Sequence, residues 1–259
     1  MDSEIIRRAL EYESSKRNSL IARDNIEIDI YLHNVASGST WDEGYVSEDL
    51  LQKQFDILHE TFLPYGIEMS LAGIDHTINP IWANNTAFSQ SEADMKNALH
   101  KGDYTDINIY VVYEVLGFTH FPVSGITFLS DFIADAVVLG HNGAYGSNAT
   151  GRDMGRSAIH EIGHWFGLEH TFLHGCVGLG DGIAETPLED ISQLTTSGGC
   201  PEGRDTCPGS PGLDPIHNHM DYTADSCRTE FTPGQVERMH TLFNLLRVPQ
   251  QGVSNSSAY

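Results

Sequence analysis

No apolar run in this sequence approaches the roughly 18 residues that carry a helix across a bilayer, and no segment repeats. A membrane-spanning helix and a solenoid are therefore not expected. Basic residues are also scarce: 14 Lys and Arg stand against 36 Asp and Glu, a formal net charge of −22. A surface this acidic repels phosphate backbones and anionic lipid, so neither a nucleic-acid partner nor a membrane partner is expected. The N-terminus lacks the apolar core of a signal peptide, since Met1-Asp2-Ser3-Glu4 opens an acidic, polar stretch; the chain reads as a mature or recombinant form. What remains is ordinary for a globular protein. The 259 residues, 40% hydrophobic and 19% charged, suffice for one large or two small domains with a sizeable core.

Cysteine is rare and confined. Cys176, Cys200, Cys207 and Cys227 all fall in a stretch rich in Gly, Pro, Asp and Thr, where little core can form. Disulfides help such chain most, because they restrict the unfolded ensemble. Four cysteines allow three pairings, among which sequence alone does not choose. A structural zinc site is the competing reading, but close Cys-x-x-Cys spacing is missing. Glycosylation triplets begin at Asn84, Asn148 and Asn255 and agree with secretion. An oxidising, extracellular setting is the expectation.

Along the chain, residues 1–25 read as a polar, helical or loosely ordered lead-in. From Ile26 the pattern alternates, with Ile26, Ile28, Ile30 and Leu32 on one side, as in a half-buried strand. Ser47 is suited to cap a helix whose apolar stripe is Leu51, Phe55, Leu58 and Phe62. A second strand runs through Ile67, Met69 and Leu71, and residues 74–90 read as a loop. A short helix near 91–101, a strand over Asp106–Val115 and a strand over Asp135–Leu139 follow. The next helix spans about Asp153 to Phe166. Residues 171–230 show almost no periodicity. Thr232-Pro233-Gly234-Gln235 is a capping box with proline at the first helical position, and Val236, Met239, Phe243 and Leu246 form the stripe behind it. The tail from Pro249 is expected to be disordered.

Histidine, by contrast, is abundant, with 13 copies, and one segment concentrates it: His160-Glu161-Ile162-Gly163-His164-Trp165-Phe166-Gly167-Leu168-Glu169-His170. His160 and His164 lie one helical turn apart, so both imidazoles project from one face and can hold one ion. Glu161 adjoins the first ligand and can reach a water there without ligating the metal. Ile159, Ile162 and Phe166 form the opposite stripe, which anchors the helix. Gly167 sits where the chain must reverse, because glycine accepts the left-handed conformation, and the reversal returns His170 as a third ligand. Three neutral imidazoles and one water make the open coordination of a catalytic zinc. The rival arrangement takes a distant carboxylate as third ligand, with Glu185 and Glu189 as candidates.

His160–His170 resembles the extended zinc signature of the metzincin metallopeptidases, which also carry a methionine turn beneath the metal; Met220 in His219-Met220-Asp221-Tyr222-Thr223 fits that turn. The segments 164–172, 220–227 and 231–235 are similar to the pappalysin family in particular, including its secreted fungal and bacterial members. The likeness is strong after residue 150 and looser back to 26. It implies an α+β, zincin-like fold: a twisted, mostly parallel sheet with two long helices in an N-terminal subdomain (26–167), and an irregular, disulfide-stapled C-terminal subdomain (168–248) with one helix. Residues 1–25 lead in, and 249–259 form a flexible tail.

Residue by residue, the resemblance implies zinc on His160, His164 and His170, Glu161 as general base and acid, Met220 as the floor under the metal, and Tyr222 as the oxyanion partner. It implies the disulfides Cys176–Cys207 and Cys200–Cys227. It implies calcium in the loop after the zinc helix, with Asp181, Glu185 and Thr186 as ligands, although Glu185 stands where Asp is usual. Some relatives prefer a basic residue just after the scissile bond, and Asp225 is expected near that pocket. His217 and His219 read as non-ligands. With no cysteine before Cys176, a cysteine-switch propeptide is not expected within this chain. A secreted, monomeric zinc endopeptidase acting on extended protein or peptide substrates is the expectation, with the strand near Asp135–Leu139 as the sheet edge that pairs with them. A zinc-binding protein without peptidase activity, or a zinc hydrolase of small molecules, are the alternatives.

Overall fold

The computed structural model describes residues 3–16, 25–85, 87–113, 117–126, 129–193 and 199–250. The sequon at Asn255, the end of the expected tail and the last part of the lead-in lie outside the described residues.

The alternating run from Ile26 forms β1 (Ile26–Ala36), with Ile26, Ile28, Ile30 and Leu32 buried on one face. Helix α1 (Ser3–Lys16) precedes it and α2 (Glu48–Phe62) follows it. Ser47 occupies the cap of α2, but its side chain makes no capping bond. Next come β2 (Ile67–Ile78), the short helix α3 (Pro80–Ala83), α4 (Gln90–Leu99) and β3 (Ile107–Val112). Then follow β4 (Gly117–Thr119), α5 (Leu129–Ala134), β5 (Val137–Gly140), α6 (Arg156–Trp165) and α7 (Pro233–Leu242).

The strands make one sheet in the order β2-β1-β3-β5-β4, parallel except for β4, which runs antiparallel to β5. Every residue of β3 and β5 is buried, as a sheet covered on both faces requires. On one face Leu51, Leu58 and Phe62 of α2 and Ile159, Ile162 and Phe166 meet the strand isoleucines. The same core continues through Ile183, Met220, Phe231, Val236 and Met239, so residues before and after Gly167 share it. On the other face Met95 packs with Val35, Tyr110, Val112 and Val138. Helix α1 docks Ile5 and Ala9 against Leu242 and Leu246, and Arg238 Nε donates to Glu13 Oε1 at 2.6 Å.

Two expectations are corrected. Residues 74–78 are not loop: β2 continues to Ile78, paired with Leu32–Ala36 of β1. Its second half is polar and half-exposed, so no alternation marks it; it is held by backbone pairing and by His33 Nδ1 on Asp75 at 2.9 Å. The free sheet edge is not the strand near Asp135–Leu139. That strand, β5, lies between β3 and β4, and the edge belongs to β4, a three-residue strand too short to show a period.

Candidate active site

Helix α6 carries the histidines and is fixed at both ends. At its start Asp225 Oδ2 accepts from the amides of Met154 and Arg156 at 3.0 and 3.2 Å, a carboxylate where the helix dipole is positive. At its end Trp165 Nε1 donates to Asp135 Oδ2 at 3.1 Å. There Arg247 spans Asp135 at 2.7 Å, the Trp165 carbonyl at 2.8 Å and the Trp165 ring at 3.3 Å. Gly167 then turns the chain with φ of 92°, and its amide donates to the His164 carbonyl at 2.8 Å. The apolar stripe faces the core, so His160 and His164 face outward from it, and the turn brings His170 back beside them.

The three Nε2 atoms form a nearly equilateral triangle with sides of 3.1, 3.2 and 3.1 Å. Tetrahedral zinc–nitrogen bonds of about 2.0–2.1 Å set nitrogens roughly 3.3 Å apart, so the triangle fits that ion. The opposite ring nitrogens set the tautomers. His160 Nδ1–H donates to the His219 carbonyl at 2.8 Å and His164 Nδ1–H to the Leu168 carbonyl at 2.7 Å, which leaves both Nε2 lone pairs free to converge. Burial holds His170 down to about 3 and pushes His160 and His164 below the ordinary imidazole value, so all three are neutral, the form that ligates. Among the described residues the other cluster of this kind is Cys200, His217 and Cys227, and both of its sulfurs are spent in a disulfide.

Met220 lies fully buried beneath the helix. A Cβ at Gly163 would meet Met220 Sδ at 2.4 Å, so glycine is what permits this approach. Around it, Arg204 gathers three carboxylates: Glu189, Asp214 at 2.8 Å and Asp221 at 2.9 Å. Asp221 adjoins Met220, while Glu189 accepts from Thr171, which adjoins His170, at 2.8 Å. Burial and the neighbouring Asp221 push Glu189 up to about 8. Disulfides join Cys176 to Cys207 and Cys200 to Cys227, tethering the segment after Met220 to the preceding loop.

Glu161 is buried beside the triangle, and its Oε2 accepts from Thr119 Oγ1 of the edge strand at 2.9 Å. Burial raises its carboxyl to about 7, opposed by that hydroxyl and by Arg228. The Tyr222 hydroxyl lies 3.0 Å from His170 Nε2 on a half-exposed ring. His219 keeps its ring buried against Phe231, away from the triangle, and His217 Nδ1 donates to the Cys227 carbonyl. Of the two rival carboxylates, Glu189 is occupied as described and Glu185 is exposed, with its carboxylate against Gly234. In the following loop, Asp181 Oδ2 and Thr186 Oγ1 are buried without hydrogen-bond partners, and Glu185 is exposed. Burial pushes Asp181 up to about 7.

Asp225 is buried: one oxygen accepts the two amides at the start of α6, and the other takes Arg228 Nη2 at 2.5 Å. Thr119, Arg152, Arg204 and Arg228 are the site residues that sequence reasoning missed. They are single residues with no motif around them: Thr119 ends the three-residue strand β4, and Arg152, Arg204 and Arg228 lie in irregular chain.

The family model described as pregnancy-associated plasma protein-A, peptidase M43, matches residues 91–244. An extracellular metalloprotease of Podospora anserina is 40% identical over 242 residues, covering 91% of this chain and 80% of the relative. One from Colletotrichum graminicola is 41% identical over 249 residues, covering 94% and 86%. Mature mirolysin of Tannerella forsythia, solved in complex with a cleaved peptide, superposes with a TM-score of 0.69 at 26% identity, covering 92% of this chain and all of that one.

Proposed function

The chain belongs to the peptidase M43 family, and from that premise we propose that it is a secreted zinc endopeptidase that cuts extended protein or peptide substrates. The observation that carries the reading is the triangle of neutral Nε2 atoms with Glu161 beside it. His160, His164 and His170 would hold the zinc. When bound, zinc supplies a Lewis acid that lowers the pKa of water and polarises a carbonyl.

The rest is work for the chain's own residues. Glu161 takes a proton from the attacking water and returns it to the leaving amine; a carboxyl raised by burial is suited to both steps. The Tyr222 hydroxyl, on an open ring beside His170, donates to the developing oxyanion. The edge strand β4 offers unpaired backbone groups to an extended substrate, and Thr119 on that strand holds Glu161 in register with it. Met220 forms the apolar floor, and the carboxylates around Arg204 keep that floor and His170 in fixed relation.

We read the cleft as lying between the subdomains 26–167 and 168–248. The orphaned oxygens of Asp181 and Thr186 support calcium there. Secretion is supported by the two disulfides and by the extracellular relatives. The test is digestion of casein, read by mass spectrometry, before and after removal of metal with phenanthroline. Cleavage that stops with chelation and returns with zinc is the expected result. Cleavage indifferent to the chelator would overturn the reading.

A further inference from the structure

Beside the histidine triangle opens a pocket of about 120 Å³, the volume of a single side chain, walled by His160, Glu161, Tyr222 and Thr223 and reached by Arg152 and Arg228. In a chain of net charge −22, two guanidinium groups on one small pocket are contrary to the surroundings. Asp225 meets them most directly and is itself buried and engaged, while Glu161 and Asp221 lie within electrostatic reach of Arg228. One oxygen of Asp225 meets Arg228, while the other is taken by the amides of Met154 and Arg156. Arg228 is buried, with its Nε–H lacking a partner, although a guanidinium carries five donors arranged for bidentate recognition. Burial pushes the Arg228 pKa down and nearby Arg152 adds to the effect, whereas Asp225 holds it up, so the two cations sit close enough to repel. Arg152 is exposed, so its fork is free to close on an incoming group. Glu161 borders the pocket from the histidine side, where its carboxylate is bound by Thr119.

We propose that this pocket takes a substrate carboxylate next to the scissile bond, and that Arg152 and Arg228 select it. The inference rests on the peptidase reading. It reverses the preference for a basic residue, because Asp225 is buried and both of its oxygens are engaged by Arg228 and the two amides. The carboxylate has two sources: an Asp or Glu side chain within the substrate, or the terminal carboxylate of a short peptide.

The experiment uses quenched fluorescent peptides that differ only at the residues flanking the scissile bond, carrying Asp, Glu, Asn, Gln or Lys, each with a free and an amidated C-terminus. With the zinc-loaded protein, kcat/KM is expected to be at least about tenfold higher for Glu or Asp than for the isosteric amide, with Lys lowest. A gain present in amidated peptides identifies the side chain; a gain confined to free C-termini identifies the terminal carboxylate. Arg152→Gln should shrink the acid-to-amide ratio and Arg152→Glu should invert it toward Lys. Because removing Arg228 alone strands buried Asp225, the second variant is Arg228→Met with Asp225→Asn, which should shrink the same ratio. Equal rates for acid and amide, a preference for Lys, or a ratio that Arg152→Glu leaves unchanged would overturn the proposal. If no peptide is cut, the peptidase reading fails on its own, and the pocket is then decided by fluorescence anisotropy on zinc-loaded Glu161→Gln. Tighter binding of the acidic peptide upholds it, and equal binding sinks it.

Discussion

Gly163→Ala would ordinarily stabilise the protein, since replacing a mid-helix glycine by alanine is worth about 1 kcal/mol. At this position the opposite is expected. The added Cβ would stand 2.4 Å from Met220 Sδ, 3.2 Å from Met220 Cε and 3.6 Å from Phe231 Cε1, and Met220 is fully buried, so its end must repack within the core. Overpacking of a filled core costs about 1–3 kcal/mol. Set against the helix gain, the net loss should be up to about 2 kcal/mol, a fall in Tm of up to about 8 °C for a chain of this size. The displaced sulfur lies under the histidine face, so zinc affinity should fall as well. Shortening the obstacle should separate the effects: Met220→Ala costs about 2–5 kcal/mol alone, but the double variant should lose less than the sum, by a coupling of about 0.5–3 kcal/mol. Thermal melts and zinc titration of the four proteins complete the cycle. A Gly163→Ala protein that melts higher than wild type, or strict additivity, would refute the packing argument.

Other perturbations follow the same logic. Arg247→Met leaves Asp135 buried without its cation at the end of α6, held by Trp165 Nε1 alone, and should cost about 3–5 kcal/mol in urea denaturation; a loss below about 1 kcal/mol would contradict the role given to that pair. Burial alone would raise the Asp75 carboxyl, but hydrogen bonds from His33 and Lys101 bring it from 3.8 to about 2. A folded value below the unfolded one means stability that is present above about pH 4 and lost as pH falls toward 2. For a half-exposed group this amounts to about 1 kcal/mol after screening, and Asp75→Asn should flatten that part of the stability-versus-pH curve. Replacing Cys200 and Cys227 by serine should cost about 2–4 kcal/mol and leave the turn at Met220 more open to proteolysis; an unchanged melt would argue against the tether.

What was legible in the sequence follows from which forces leave a local mark. The strand at Ile26 alternates because only one of its faces meets the main core at that end, and α7 announces itself because Thr232 and Gln235 satisfy each other's backbone amides within four residues. The spacing of His160, His164, Gly167 and His170 is likewise local, since one turn and one reversal bring the ligands together. The edge strand β4 left no mark, because three residues hold no period and its pairing with β5 is made across the intervening chain. The partners of Asp225 were not legible because they are set by tertiary structure: Arg228 is near in sequence, but the amides it caps belong to residues far earlier in the chain. The cationic pocket was hidden for the same reason, with Arg152 and Arg228 on opposite sides of the histidine segment. A net charge summed over the whole chain says little about a single pocket.

The central claim is that the histidine triangle and Glu161 together cut peptide bonds. The most direct measurement is hydrolysis of casein by wild type and Glu161→Gln side by side, with the zinc content of both determined by metal analysis. The expected result is one zinc per chain in both proteins, cleavage by wild type, and a loss of at least about a hundredfold in the variant. Equal cleavage by the two proteins would contradict the role of Glu161, and a wild type that holds zinc but cuts nothing would contradict the peptidase itself.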